Sequence, residues 1–211
     1  MQKRTSAIVA AVMAFSLSGA AAAGPFEDGS VAYQSGDYAT ALRVWRAVAA
    51  GGYAPAQNNL GMMYALGQDL PRDYARAKIW YGRAADQGFA VAQFNIGGLY
   101  ADGLGAPQDY AKAADWFGKA AAQGYGAAQD RLGSLYAEGR GVQQDPVKAL
   151  MWCDLAVAHF PRSDYDGRAL AAKHRDSLAA KLTPGQIAEA QSLARGWTSQ
   201  MITPPASLAE R

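Results

Sequence analysis

Few residues in this 211-residue chain are of the types that do chemistry: two histidines, His159 and His174, and a single cysteine, Cys153. A nucleophile with its base, a metal cluster or a pair of opposed acids would argue for an enzyme, and no such constellation is visible. No His or Cys group has the spacing of metal ligands. A lone helical histidine reads as a surface residue or a satisfied core residue. Asp37, Asp73, Asp109 and Asp145 are spaced by 36 and invite a metal or acid–base reading. Each stands where a helix would begin, however, and a carboxylate accepting from exposed backbone N–H groups accounts for all four. The glycine-rich loops lack the lysine and residue order of a phosphate-binding loop. The residues therefore point to no cofactor, no metal and no enzyme.

The step of 36 runs through much more than the aspartates. Ala41, Ala77, Ala113 and Ala149 keep it, as do Trp80, Trp116 and Trp152. So do the strings opening at Gly52, Gly88 and Gly124 and ending at Gln57, Gln93 and Gln129. Leu60-Gly61-x-x-Tyr64, Ile96-Gly97-x-x-Tyr100 and Leu132-Gly133-x-x-Tyr136 complete the pattern. A fixed period of this size is the mark of stacked helical hairpins.

Within one period, Ala92, Ile96, Leu99 and Tyr100 form an apolar stripe at helical spacing. The helix ends near Gly103, and the loop to Gln108 holds two glycines and Pro107. Asp109 then caps a second helix, whose stripe is Ala113, Trp116, Phe117 and Ala120, and Gly124 stops it. Small residues let the backbones approach while aromatic ones fill the space beside them, so no hairpin buries its face alone. The first unit has a tight turn, with only Gln34-Ser35-Gly36 between Tyr33 and Asp37. By register Cys153 takes the core position of Tyr81 and Phe117, the place of a buried, inert thiol.

The period is lost after Phe160-Pro161. A helix from Tyr165 to about Leu182 and another from the capping box Thr183-Pro184-Gly185-Gln186 to about Trp197 read as a terminal cap. Ile187, Ala190, Leu193 and Ala194 are expected on the buried face of the last helix. Residues 198–211, with Pro204-Pro205, are expected to be disordered.

Residues 1–23 have the form of a signal peptide: Lys3 and Arg4, an eleven-residue apolar run from Ala7 to Leu17, and the small residues Ser18 to Ala23. The run is too short to span a bilayer. Cleavage after Ala23 would remove two of the 20 basic residues and none of the 18 acidic ones. A neutral mature chain argues against broad electrostatic binding to nucleic acid or anionic lipid. The expected organisation is residues 1–23 as signal peptide, 24–160 as about four hairpins, 161–197 as cap and 198–211 as tail. The expected location is periplasmic or secreted, where a single cysteine forms no internal disulfide.

The repeating strings resemble Sel1-like repeats, relatives of tetratricopeptide repeats. The resemblance rests on Ala92-Gln93-x-x-Ile96-Gly97-x-x-Tyr100-x-x-Gly103-x-Gly105 followed by Asp109-x-x-x-Ala113-x-x-Trp116-Phe117-x-x-Ala120-Ala121-x-Gln123-Gly124. It covers roughly residues 26–160. Asp69 stands in place of the second loop glycine, and Pro146 in place of the tyrosine after the aspartate. The resemblance implies an all-α, right-handed α/α solenoid of helical hairpins with a C-terminal helical cap. It also implies an adaptor that binds another protein or a peptide in the bacterial envelope. A carbohydrate- or peptidoglycan-associated adaptor is the alternative. A β-lactam-interacting enzyme is a further one, although this chain lacks the cysteine pairs of the members linked to that activity.

By analogy with related solenoids, the first helix of each hairpin lines the concave side, and specificity belongs at positions that differ between units. Those positions are Asn58, Asn59 and Met62, then Phe94, Asn95 and Gly98, then Asp130, Arg131 and Ser134. Exposed Met62 and Phe94 would anchor a partner, while Asn59, Asn95 and Arg131 would hold peptide backbone or a carboxylate.

Overall fold

The structure, a computed structural model, describes residues 24–202. The expected signal peptide at Met1–Ala23 and the Pro204-Pro205 stretch lie outside the described residues. Among the described residues there are ten α-helices and no strand. They are α1 (Pro25–Gln34), α2 (Tyr38–Ala50), α3 (Ala54–Leu66), α4 (Tyr74–Asp86), α5 (Ala90–Asp102), α6 (Tyr110–Ala122), α7 (Gly126–Glu138), α8 (Pro146–His159), α9 (Tyr165–Ala179) and α10 (Pro184–Ile202). The architecture is that of an α/α solenoid. Two compact units divide the chain after Trp116, within α6. In the first, α1 to α5 pack in sequence order. In the second, α7 pairs with α8, and α9 and α10 both pack on α8.

The repeating residues close each hairpin in the same way. Gly67, Gly103 and Gly139 end their helices in the left-handed region, with φ of 72°, 67° and 67°. Two residues on, a second positive φ is held by Gly105 and Gly141, and in the earlier loop by Asp69 at φ 56°. Aspartate is among the few residues that tolerate this region, so the departure at Asp69 leaves the loop intact. Asp73, Asp109 and Asp145 then cap α4, α6 and α8, accepting from the backbone N–H of Arg76, Lys112 and Lys148 at 2.9, 3.0 and 2.9 Å. Each basic side chain returns to its aspartate at 3.2, 2.9 and 3.2 Å. Each also lies over the tyrosine three residues before the loop glycine, Tyr64, Tyr100 or Tyr136. The Lys112 backbone bond holds the Asp109 carboxyl below the usual carboxylate range, and the Thr40 backbone bond does the same for Asp37.

The tightest core position is not the recurring tryptophan. Trp45, Tyr81, Phe117 and Cys153, one residue later in register, are the buried residues, while Trp80, Trp116 and Trp152 are only half-buried. Opposite them, Gly61 and Gly133 allow close helix approach. A Cβ on Gly61 would lie 2.8 Å from the Tyr81 ring, and one on Gly133 would lie 2.9 Å from Cys153 Sγ.

The cap forms as expected, with three differences of detail. Thr183 N–H donates to Gln186 Oε1 at 3.0 Å and Gln186 N–H donates to Thr183 Oγ1 at 3.3 Å, a complete capping box. The first difference is that α9 ends at Ala179, short of Leu182. Secondly, α10 continues past Trp197 to Ile202, so the expected tail does not begin at Thr198. No glycine or proline stands between Trp197 and Thr203 to stop it, and Thr198 Oγ1 donates back to Ala194 O. Thirdly, Leu193 is 43% exposed while Ala190 is fully buried, so the buried stripe of α10 is narrower than its sequence suggests.

Candidate interaction surface

The nine residues expected to line a partner groove lie on α3, α5 and α7, the first helices of their hairpins. Exposure separates them. Asn58, Asn59, Met62, Phe94, Asn95 and Asp130 are buried, with Met62 at 1% and Phe94 at 5%. Gly98 and Ser134 are intermediate, and only Arg131 is exposed. Met62 and Phe94 are thus core residues, not exposed anchors. In α3 every residue from Ala56 to Ala65 is buried, and in α5 every residue from Val91 to Gly97. A helix covered on all sides belongs to the core of a larger stack. The one-sided stripe assumed from the sequence does not describe these helices.

In the first unit the buried polar side chains satisfy one another. Asn95 Nδ2 donates to Asn58 Oδ1 at 2.9 Å, and Asn58 Nδ2 donates to Asn59 Oδ1 at 3.3 Å. The chain of amides ties α5 to α3, as buried polar groups require. Its two ends, the Asn59 amide nitrogen and the Asn95 carbonyl oxygen, retain hydrogen-bonding capacity. One turn along α5, a Cβ on Gly98 would meet nothing within 4 Å. The same register holds the buried Met62 on α3.

In the second unit the register of Asn58 carries a charge. Asp130 is only 6% exposed and is met by His174 of α9, whose Nδ1 lies 2.8 and 3.1 Å from the two carboxylate oxygens. A buried carboxylate needs such a donor. Asp130 is therefore already engaged within its own chain. Arg131 beside it faces solvent, and Ser134 Oγ donates back to Asp130 O at 3.1 Å. Cys153 is buried as expected, and burial, with Asp130 and Asp154 nearby, pushes its thiol up to about 12, which makes it inert.

A second row of functional side chains was visible in the sequence only as a repeated string. Gln57, Gln93 and Gln129 each donate Nε2 to a carbonyl at the end of the preceding helix: Ala49 at 3.2 Å, Ala85 at 3.2 Å and Ala121 at 3.1 Å. The spacing of 36 was the signal, and the unsatisfied carbonyls of a helix end are the reason. Gln87 Nε2 donates to Gln57 Oε1 at 2.7 Å. In the last repeat that register is occupied by His159, whose Nδ1 lies 2.9 Å from Gln129 Oε1. Since Oε1 only accepts, Nδ1 carries the proton. The ring also packs on Trp197 at 5.3 Å, and Trp197 on Trp152 at 6.1 Å. Burial lowers the His159 pKa and favours this neutral form. Among the described residues, no group of three or more His, Cys, Asp or Glu is placed to hold a metal ion.

Hairpins of 36 residues closed by the same caps define an α/α repeat protein. The Sel1 repeat model matches residues 54–89, 90–125 and 126–159, about half of the chain. The chain belongs to the Sel1 repeat family. It is similar to a protective antigen present in uropathogenic Escherichia coli strains that displays an SLR fold, with a TM-score of 0.68 and 34% identity. That match covers 77% of this chain and 33% of the antigen, so the chain spans about a third of its length. It is also similar to a Sel1 repeat protein from Oxalobacter formigenes, with a TM-score of 0.62 and 30% identity over 80% of this chain and 74% of that one. No curated protein matches the sequence.

Proposed function

We propose that this protein is an exported, non-enzymatic scaffold of the bacterial envelope that holds a partner protein or peptide against the first helices of its hairpins. Sel1 repeats are generally protein-interaction modules, and a stack whose repeated residues are occupied by packing leaves its variable residues for recognition. The observation that carries the reading is the open space over Gly98, beside the free ends of the amide chain at Asn59 and Asn95. A partner side chain seats over Gly98, and the two asparagines hold its backbone. Export rests on the n-region, apolar run and small-residue site of residues 1–23. Among the described residues no helix is long and apolar enough to cross a membrane.

The test is site-specific photocrosslinking in cells that produce the full chain. A photoreactive phenylalanine replaces Gly98, or Ile79, which is exposed on α4. A discrete crosslinked protein from position 98 and none from position 79 supports the reading. Crosslinks from position 79 alone, or from neither, overturn it. Fractionation of the same cells reports export through the loss of residues 1–23.

A further inference from the structure

The helix that covers Asp130 docks through α8 and buries little of itself. α9 has 15 residues, of which only Ala171 is buried. It packs on α8 and touches α7. His174 of α9 bonds to Asp130 of α7, and Arg175 of α9 lies near Asp154 of α8. Segments with few buried contacts open locally at low free energy, so a single strong contact sets their opening equilibrium.

We propose that α9 is a pH-sensitive lid over the Asp130 face of α7, latched by the imidazolium of His174 and loosened when that imidazole loses its proton. An imidazolium gives the carboxylate a charge-assisted hydrogen bond, roughly twice as strong as the bond from a neutral ring. The histidine is also half-exposed, with a side-chain accessibility of 38%, so the proton reaches it without unfolding. The other charged groups around the pair are Arg131 on α7, Cys153 and Asp154 on α8, and Arg175 and Asp176 on α9. The Cys153 thiol stays protonated throughout this range, and the arginines stay charged. Burial raises the Asp154 pKa, which moves its titration toward neutral pH. The sign is fixed by the pair: the lid closes as pH falls and opens as it rises. This lid stands on the second unit's own contacts and does not depend on the scaffold reading.

Hydrogen exchange of the full chain between pH 5.5 and 8.0, corrected for the intrinsic chemistry, tests it. The amides of residues 165–179 should open about tenfold more at the upper pH, while those of α3 do not change; that factor is the expected ratio for a charge-assisted over a neutral hydrogen bond. His174→Gln and Asp130→Asn should each remove the pH response and leave α9 in its loosened state. His159→Gln should keep the response, which separates the two histidines. A flat wild-type profile overturns the proposal, as does a response that survives His174→Gln. If both latch substitutions unfold the second unit, the wild-type profile alone decides.

Discussion

The first helices of the hairpins meet different fates in the two units. On α3 and α5 the variable positions hold neutral amides bonded to each other, beside an unfilled space at Gly98. On α7 the position equivalent to Asn58 holds a carboxylate that the chain covers with its own α9. A repeat stack must end somewhere, and its last face needs a partner that is not another repeat. Position 130 and His174 serve that end. The proposed scaffold would recognise its partner on the first unit, while the second closes on itself, although the two share one repeat pattern.

The sharpest way to break this comparison is to empty the core register that both units share. Tyr81 fills it in the first unit and is almost wholly buried. Tyr81→Ala should lower stability by about 3–5 kcal/mol. Trp116→Ala should lower it by less, because Trp116 is half-buried. Chemical denaturation of the two variants checks the order; equal losses would show that the half-buried tryptophan carries as much of the packing as Tyr81. Burial also raises the Tyr81 pKa, and its hydroxyl has no hydrogen-bond partner. Tyr81→Phe should therefore be neutral or slightly stabilising by the same measurement.

Next in size is the amide chain of the first unit. Asn95→Ala removes the donor to Asn58 and leaves a buried acceptor unmatched, for a loss of about 1–3 kcal/mol. Asn58→Ala should cost a similar amount, and the double variant less than the sum, since both delete the same bond. A double-mutant cycle in urea measures this. Strict additivity would mean that the amides do not act as one network.

How much of this was legible follows from what repeats and what does not. The helices, their caps and the loop glycines recur every 36 residues, and each has a local cause in backbone geometry, so they could be read from Asp73, Gly103 or Tyr136 alone. The exposure of Met62 and Phe94 could not. It depends on neighbouring hairpins closing around a helix, and a pattern within one helix does not report what lies on its far side. The pairing of Asp130 with His174 spans 44 residues and falls outside the period, so no register argument reaches it. The roles of Gln57 and Gln129 lay between these cases: the recurrence was plain, but the carbonyls they satisfy belong to the preceding helix.

Two glycines sharpen the comparison at a smaller scale. A Cβ on Gly61 would strike the Tyr81 ring, and Gly61→Ala should destabilise by about 1–3 kcal/mol through overpacking. Gly98 sits in a helix with open space around it, so Gly98→Ala should stabilise by about 0.5–1 kcal/mol, chiefly by restricting the unfolded chain. Thermal unfolding of both variants reads the two signs. Destabilisation at Gly98 would mean that the space is already filled and would remove the seat proposed for a partner.

The smallest effect concerns His159, which replaces the glutamine of earlier repeats. Its pKa in the folded chain is lowered by burial from an unfolded value near 6.5. Above that value both states are neutral and the site is indifferent to pH. As pH falls through 6.5 the unfolded chain takes up the proton first, so stability is lost toward acid. The ring is only partly buried, and solvent screening keeps the loss below about 1 kcal/mol. His159→Gln restores the residue found at Gln87 and keeps a donor for Gln129, while giving up the contact with Trp197. Its stability should be slightly lower at pH 8 and should fall less than that of the wild type between pH 7 and 5. Parallel pH profiles for the two proteins would show that His159 titrates alike in the folded and unfolded chains. A smaller acid loss in the variant would show that the last repeat exchanged its glutamine for a residue that joins the stack to α10 best in the neutral form, the opposite preference to that proposed for His174.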